Sequence, residues 1–217
     1  MDPHRRPHQR KQPQQQRSQA MVRRILDGGA RVLERHGYAG ASTNKIAAEA
    51  GVSPGSLYYY FPDKDAVVRL VLERFLVELT TMLNRPLGAL RHDSRSMFED
   101  YANAAIDVLE QNRRLLDVLV NEVPRLGPAH SREVLDQKLL DRLRLAFTMI
   151  GSPFDGDEFE ARCWAAAQLC LTLPVRYVLA GPSFSRGRFV ATLGDLLGAL
   201  AGVGDLSPNE GVPLGTM

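Results

Sequence analysis

Only two cysteines occur among the 217 residues, Cys163 and Cys170. They fall seven apart in what reads as one helix, so their Cα atoms sit about 10 Å apart at helical rise, too far for a bridge. With no disulfide framework and no Cys/His spacing of the metal-binding kind, they read as small buried apolar residues in a reducing cytosol, and no metal or other cofactor is expected. Strand-like alternation is equally scarce, whereas apolar residues at helical spacing recur throughout, so the expected class is all-α. Long apolar runs are missing too. The longest uncharged one, Cys163 to Val175, is shorter than a membrane span and contains Pro174. The N-terminus is rich in Arg, Gln, His and Pro and lacks the apolar core of a signal peptide. These absences predict a soluble, cytoplasmic protein with no membrane partner.

The formal charge of +2 hides an uneven distribution. Residues 1–20 carry Arg5, Arg6, Arg10, Lys11 and Arg17 against Asp2 alone, a net +4, while residues 21–80 sum to +1 and residues 81–217 to −3. Residues 1–18 are polar, basic and of low complexity, which predicts a disordered arm. The turn-rich stretch 204–217 predicts a flexible tail. Between them the expected division is a smaller helical domain over 19–65 and a larger helical domain over 66–203.

The stretch Gly51-Val-Ser-Pro-Gly55 matches the G-x-S-x-G signature of a serine hydrolase's nucleophile elbow. That motif needs a strand entering the serine and acid and histidine partners beyond it. The residues before it, Ser42 to Ala50, hold three alanines and prefer a helix. Ser42 or Thr43 can cap that helix, Gly51 can end it in the left-handed conformation, and Ser53 can cap a second helix with Pro54 in its first turn. Ser53 is therefore read as a cap, no catalytic residue is assigned, and the chain is not expected to be an enzyme.

The other helices follow from apolar spacing and Gly, Pro and Asn punctuation. A first helix presents Val22, Ile25, Leu26, Gly29, Val32, Leu33 and His36 on one face and stops at Gly37. A long fourth helix opens at Pro62-Asp63, runs to about Asn84 and is apolar on two faces, as expected of a helix joining two cores. Later helices are expected near 94–111, 113–123, 129–150, 157–180 and 184–201.

Ala47, Gly51, Val52 and Leu57 have the spacing of a helix-turn-helix, in which small residues let two helices cross steeply, a glycine turns the corner and apolar residues plug the angle. With Leu57 and Phe61 facing inward, Gly55, Ser56, Tyr58, Tyr59 and part of Tyr60 turn toward solvent, where hydroxyls and rings can meet phosphates and thymine methyls. Lys64 adds a cation beside helix N-termini that already favour anions. The alternative is that the three tyrosines pack against the fourth helix.

The segment from about Ile25 to Phe75 resembles the DNA-binding domain of the tetracycline-repressor (TetR) family of transcriptional regulators. The resemblance rests on Ser42-Thr43, Ile46-Ala47, Ala50 to Ser53, Gly55, Leu57-Tyr58, Tyr60-Phe61 and Lys64-Asp65. It implies a homodimer that reads a palindromic double-stranded operator, with three N-terminal helices for DNA and a larger helical domain for dimerisation and a small-molecule inducer. On matching positions it implies that Thr43, Tyr58 and Lys64 contact phosphates while Gly55, Ser56 and Tyr59 approach bases. Ser42, Asn44, Pro54 and Tyr60 complete the expected DNA-binding set, Tyr60 standing where relatives often carry histidine. The recognition helix lacks arginine, the best bidentate reader of guanine, so part of the specificity is expected from operator shape. Removing residues 1–17 is expected to weaken DNA binding and flatten its salt dependence.

Beyond residue 85 no metal, nucleotide or catalytic constellation stands out. Met97, Phe98, Tyr101, Leu119, Phe147 and Trp164 are candidates to line an apolar effector pocket, with core packing as the plainer role of each. Asn103, Asn121 and Gln168 are candidates to orient a ligand. The last two helices carry more apolar surface than a terminal hairpin needs, which suggests a second copy as cover. Pro124 marks the stop of a segment that the family resemblance implies could move with inducer. A repressor released by an apolar small molecule is the expected function, against a serine hydrolase using Ser53 or a helical scaffold.

Overall fold

The structure, a computed structural model, describes residues 11–84 and 94–203, and every regular element among them is helical. The α-helices are α1 (Lys11–Gly40), α2 (Thr43–Ala50), α3 (Pro54–Tyr60), α4 (Lys64–Met82), α5 (Ser94–Gln111), α6 (Arg113–Asp117), α7 (Ala129–Met149), α8 (Gly156–Ala180) and α9 (Arg186–Ala201). α1 is kinked at Gly37, whose φ of 62° and ψ of −175° are not helical. That is where the first helix was expected to stop.

Two helix boundaries differ from expectation. Lys11 to Ser18, expected in the disordered arm, open α1 instead. Their Gln, Lys and Arg residues are good helix formers, and Pro13 falls in the first turn, where its missing N–H breaks no helical bond. Residues 1–10, with Arg5, Arg6 and Arg10, and the expected tail 204–217 lie outside the described residues. The expected helix over 113–123 changes at Val118 into a π turn (Val118–Glu122), in which the Val123 N–H reaches back to the Val118 carbonyl at 2.9 Å. A 3-10 turn (Pro124–Leu126) follows. By length and composition alone α8 passes for a membrane span, as the core helix of a soluble protein also can. Its continuous helix extends well beyond the apolar run, through Pro174, and packs on α5 and α9.

The chain divides into two compact units, residues 1–77 with 112–132, and residues 78–111 with 133–217. In the first, Ile25 and Leu33 of α1, Ile46 and Ala47 of α2, Leu57 of α3, and Val67, Val68, Leu72 and Phe75 of α4 are almost fully buried. Close approach of α1 to α2 rests on Gly28, since a Cβ there would lie 2.8 Å from the Ala50 nitrogen. Polar contacts fix the same crossing. Arg31 and Arg35 bond the Glu49 carboxylate at 2.6 and 2.8 Å, and Arg24 donates to the carbonyls of Ala50 and Gly51 that end α2. The Arg31 hydrogen bond, aided by Arg35, holds the Glu49 carboxyl below its ordinary range.

Residues 112–132, expected with the larger helical domain, gather with the first unit. Leu115, Leu116, Val118 and Leu119 are buried there. Glu122 accepts from the Tyr38 backbone N–H at 2.7 Å and pairs with Arg114 at 2.7 Å. The Tyr38 hydroxyl donates to Asp65 at 2.7 Å, a bond that, with burial, raises its pKa above the usual tyrosine value. None of these pairings spans fewer than 27 positions except Arg114 with Glu122, which is why sequence spacing does not disclose them.

In the second unit α5 packs against α8 and α9. Phe98, Phe147 and Phe159 meet edge to face with centroids 6.1 and 6.5 Å apart. Arg186, at the start of α9, reaches Asn103, Asp107 and Glu110 along α5.

Candidate nucleic-acid interface

Caps build the helix-turn-helix from both ends. Ser42 precedes α2 in extended conformation and its hydroxyl accepts from the Lys45 N–H at 3.2 Å. Gly51 ends α2 at φ 64° and ψ 40°, the left-handed region that glycine adopts without penalty. Ser53 then caps α3, its Oγ accepting from the Ser56 N–H at 3.1 Å, with Pro54 at the first position. A helix, α2, leads to Ser53, where a nucleophile elbow requires a strand, and the serine oxygen is engaged as a cap. Each cap contributes about 1 kcal/mol. Leu57 is fully buried, and the Val52 N–H bonds back to the Ala47 carbonyl at 3.0 Å, closing the corner.

That crossing aims α3 outward. Tyr59 is 82% exposed and Tyr58 53%, while Tyr60 is half-buried and packs edge to face on Tyr59 at 5.0 Å. The hydroxyls of Thr43 and Tyr58 lie 2.8 Å apart, so two expected phosphate contacts from different helices meet at one place. Asn44, Pro54 and Gly55 are exposed beside them, and Ser56 is half-buried. A Cβ built on Gly55 would have only the Ser53 Oγ, at 4.0 Å, nearby. The missing side chain leaves open space over the face of α3.

Lys64 does not stand clear of the protein. Its ammonium donates to the carbonyls of Tyr38 and Ala41 at 3.2 and 3.3 Å and lies 4.0 Å from the centre of the Tyr38 ring, tying the end of α1 to α4. Lys45, absent from the expected set, is exposed in the first turn of α2 with its ammonium 2.8 Å from the Gly40 carbonyl. A cation in a first helical turn opposes the helix dipole, and that misplaced charge was the signal in the sequence.

Of the expected effector residues, Met97, Phe98 and Tyr101 line one cavity of about 140 Å³ within the second unit. The structure does not bring the others to its wall. Phe147 is buried in the stack of phenylalanines, Asn103 accepts from Arg186, and Gln168 is exposed. Leu119 is in the core of the first unit, and Asn121 donates to Asp117 at 2.8 Å there. Trp164 is 60% exposed on α8, so it is not core. Unanticipated on the wall are Arg142, Cys170 and Pro174. Arg142 follows Leu135 and Leu139 at spacings of seven and three and adjoins Leu143, so it interrupts the apolar stripe of α7. Burial pushes the thiols of Cys163 and Cys170 up to about 11 and about 12, which keeps both protonated at neutral pH.

The geometry of α1 to α4 coincides with a known domain: residues 25–71 match the model of the bacterial regulatory proteins of the tetR family. Residues 25–71 carry the signature of TetR-family regulators. Among curated relatives, the nucleoid occlusion factor SlmA of Haemophilus influenzae (strain PittGG) is 29% identical over 111 residues, 50% of this chain and 49% of that protein. The HTH-type transcriptional repressor KstR2 of Rhodococcus jostii (strain RHA1) is 28% identical over 102 residues, 47% of this chain and 50% of its own length. The chain thus spans about half the length of the curated relatives it matches. A TetR-family transcriptional regulator from Streptomyces coelicolor shares the fold with a TM-score of 0.69 at 16% identity, over 84% of this chain and 80% of that one. The TetR-type arrangement is therefore an N-terminal helix-turn-helix followed by further helices, as the sequence predicts.

Proposed function

We propose that the chain is a DNA-binding transcriptional regulator of the bacterial cytoplasm, acting as a homodimeric repressor on a palindromic operator and released by a small molecule. The observation that supports it best is the outward face of α3, where Tyr58 and Tyr59 project from a helix whose opposite side is locked to α2 through Ala47, Gly51 and Leu57. The relatives' names, a repressor and HTH-type regulators among them, agree with this reading. On this account Thr43 and Tyr58 bond one phosphate together, Lys45 supplies a cation, and Gly55, Ser56 and Tyr59 approach bases in the major groove. Lys64 acts mainly by holding α4 to the end of α1.

Dimerisation through α8 and α9 is supported by the apolar surface they expose, including Trp164 and Leu196. Only 28% of the most apolar stretch of α8 is buried within the chain, and a second copy covers the rest. The cavity lined by Met97, Phe98 and Tyr101 is the effector site, and an effector acts by binding the form that does not hold DNA more tightly. Selection of random duplexes by the full-length protein tests the reading. Enrichment of an inverted repeat is expected; recovery of unenriched duplexes would refute it.

A further inference from the structure

The second-unit cavity is walled almost wholly by aliphatic and aromatic side chains, with one charged residue among its described lining, Arg142 of α7. A guanidinium nitrogen of Arg142 donates to the Tyr101 hydroxyl at 2.5 Å, and its guanidinium carbon lies 5.7 Å from the centre of that ring. Two strong polar groups from α5 and α7 therefore converge at one place on an otherwise apolar wall. Cys170, on the same wall, is pushed up to about 12 by burial and stays a neutral thiol at neutral pH.

A cation set in an apolar wall sorts ligands by the charge of their head. An anionic head gains a charge-assisted, forked hydrogen bond from arginine and a further bond from a phenol, which can accept and donate at once. A neutral head gains less, and a cationic head is repelled. The cavity's volume of about 140 Å³ is close to that of a cavity of roughly 150 Å³ known to hold benzene, so a ring or short chain fits it.

We infer that the effector is an amphipathic carboxylate, its hydrocarbon body in the apolar cavity and its head on Arg142 and Tyr101. This rests on the reading of the cavity as an effector site and replaces a purely apolar ligand with an anionic one.

The test uses three probes of one chain length, octanoate, 1-octanol and octylamine, titrated calorimetrically into the full-length protein at pH 7 without DNA. Octanoate is expected to bind roughly tenfold to a hundredfold more tightly than 1-octanol, with octylamine weakest. Arg142→Met should abolish the octanoate advantage while lowering 1-octanol affinity far less. Arg142→Lys, which keeps the charge and loses the fork, should retain part of it, so the inference stays testable if the methionine variant does not fold. Equal affinity for octanoate and 1-octanol, binding of none of the three, or an octanoate advantage that survives Arg142→Met would overturn it. The regulatory reading fails separately, if octanoate binds as expected yet does not release a duplex selected by the protein.

Discussion

Gly55 offers a perturbation whose effects on folding and on DNA binding run in opposite directions. It is exposed at the second position of α3, and the space over it is open. Glu at that position removes glycine's helical penalty, about 0.5–1 kcal/mol, and places a carboxylate near a helix N-terminus, about 0.3–1 kcal/mol. Discounted for a terminal, hydrated position, Gly55→Glu should stabilise the fold by about 1 kcal/mol and raise the melting temperature by roughly 2–4 °C. On a duplex the same carboxylate meets phosphates. Like charges about 6 Å apart repel by ~3 kcal/mol at an effective dielectric near 20, and half of that is already about tenfold in affinity. The assays are thermal melting by circular dichroism and fluorescence anisotropy with a selected duplex. A variant that melts no lower and binds that duplex as tightly as wild type would refute the assignment of this face to DNA. A lowered melting temperature would refute the open space above Gly55.

Three further outcomes are expected. Leu57→Ala, which empties a fully buried site between α2 and α3, should cost about 2–5 kcal/mol in denaturant unfolding and abolish DNA binding with it. Gly28→Ala should cost about 1–3 kcal/mol, because its Cβ cannot coexist with the Ala50 backbone unless α1 and α2 move apart; a melting curve identical to wild type would contradict that contact. Glu49 has a folded pKa below its ordinary 4.5, so its stabilising contribution is complete above that value and is lost as pH falls through the lower folded one. The melting-temperature gap between wild type and Glu49→Gln should accordingly be present at pH 7 and close as pH drops below 4.5.

Local signals carried most of the fold. Ser42, Gly51, Ser53 and Pro54 act within a turn of their own position, and the apolar stripes of α1, α4 and α7 to α9 repeat every three or four residues, so helices and the corner between α2 and α3 were legible. The placement of residues 112–132 was not, because it depends on Tyr38 meeting Glu122 and Asp65 across long stretches of chain. Lys64 illustrates the same limit at the candidate site: its position in the motif is readable, while its capture by the carbonyls of Tyr38 and Ala41 depends on how α1 ends. In the second unit, aromatic side chains drew attention toward the cavity, yet Phe147 and Trp164 point elsewhere, one into a ring stack and one to the surface. The arginine interrupting the stripe of α7 was the more informative mark.

The most direct test replaces Tyr59, whose ring is 82% exposed and carries little of the fold. Anisotropy titrations of wild type and Tyr59→Ala against one selected duplex and one scrambled duplex measure both affinity and discrimination. An unchanged melting temperature with at least a tenfold loss on the selected duplex, and little loss on the scrambled one, is the expected result. Equal affinity of both proteins for the selected duplex would contradict the claim that the tyrosine face of α3 reads DNA.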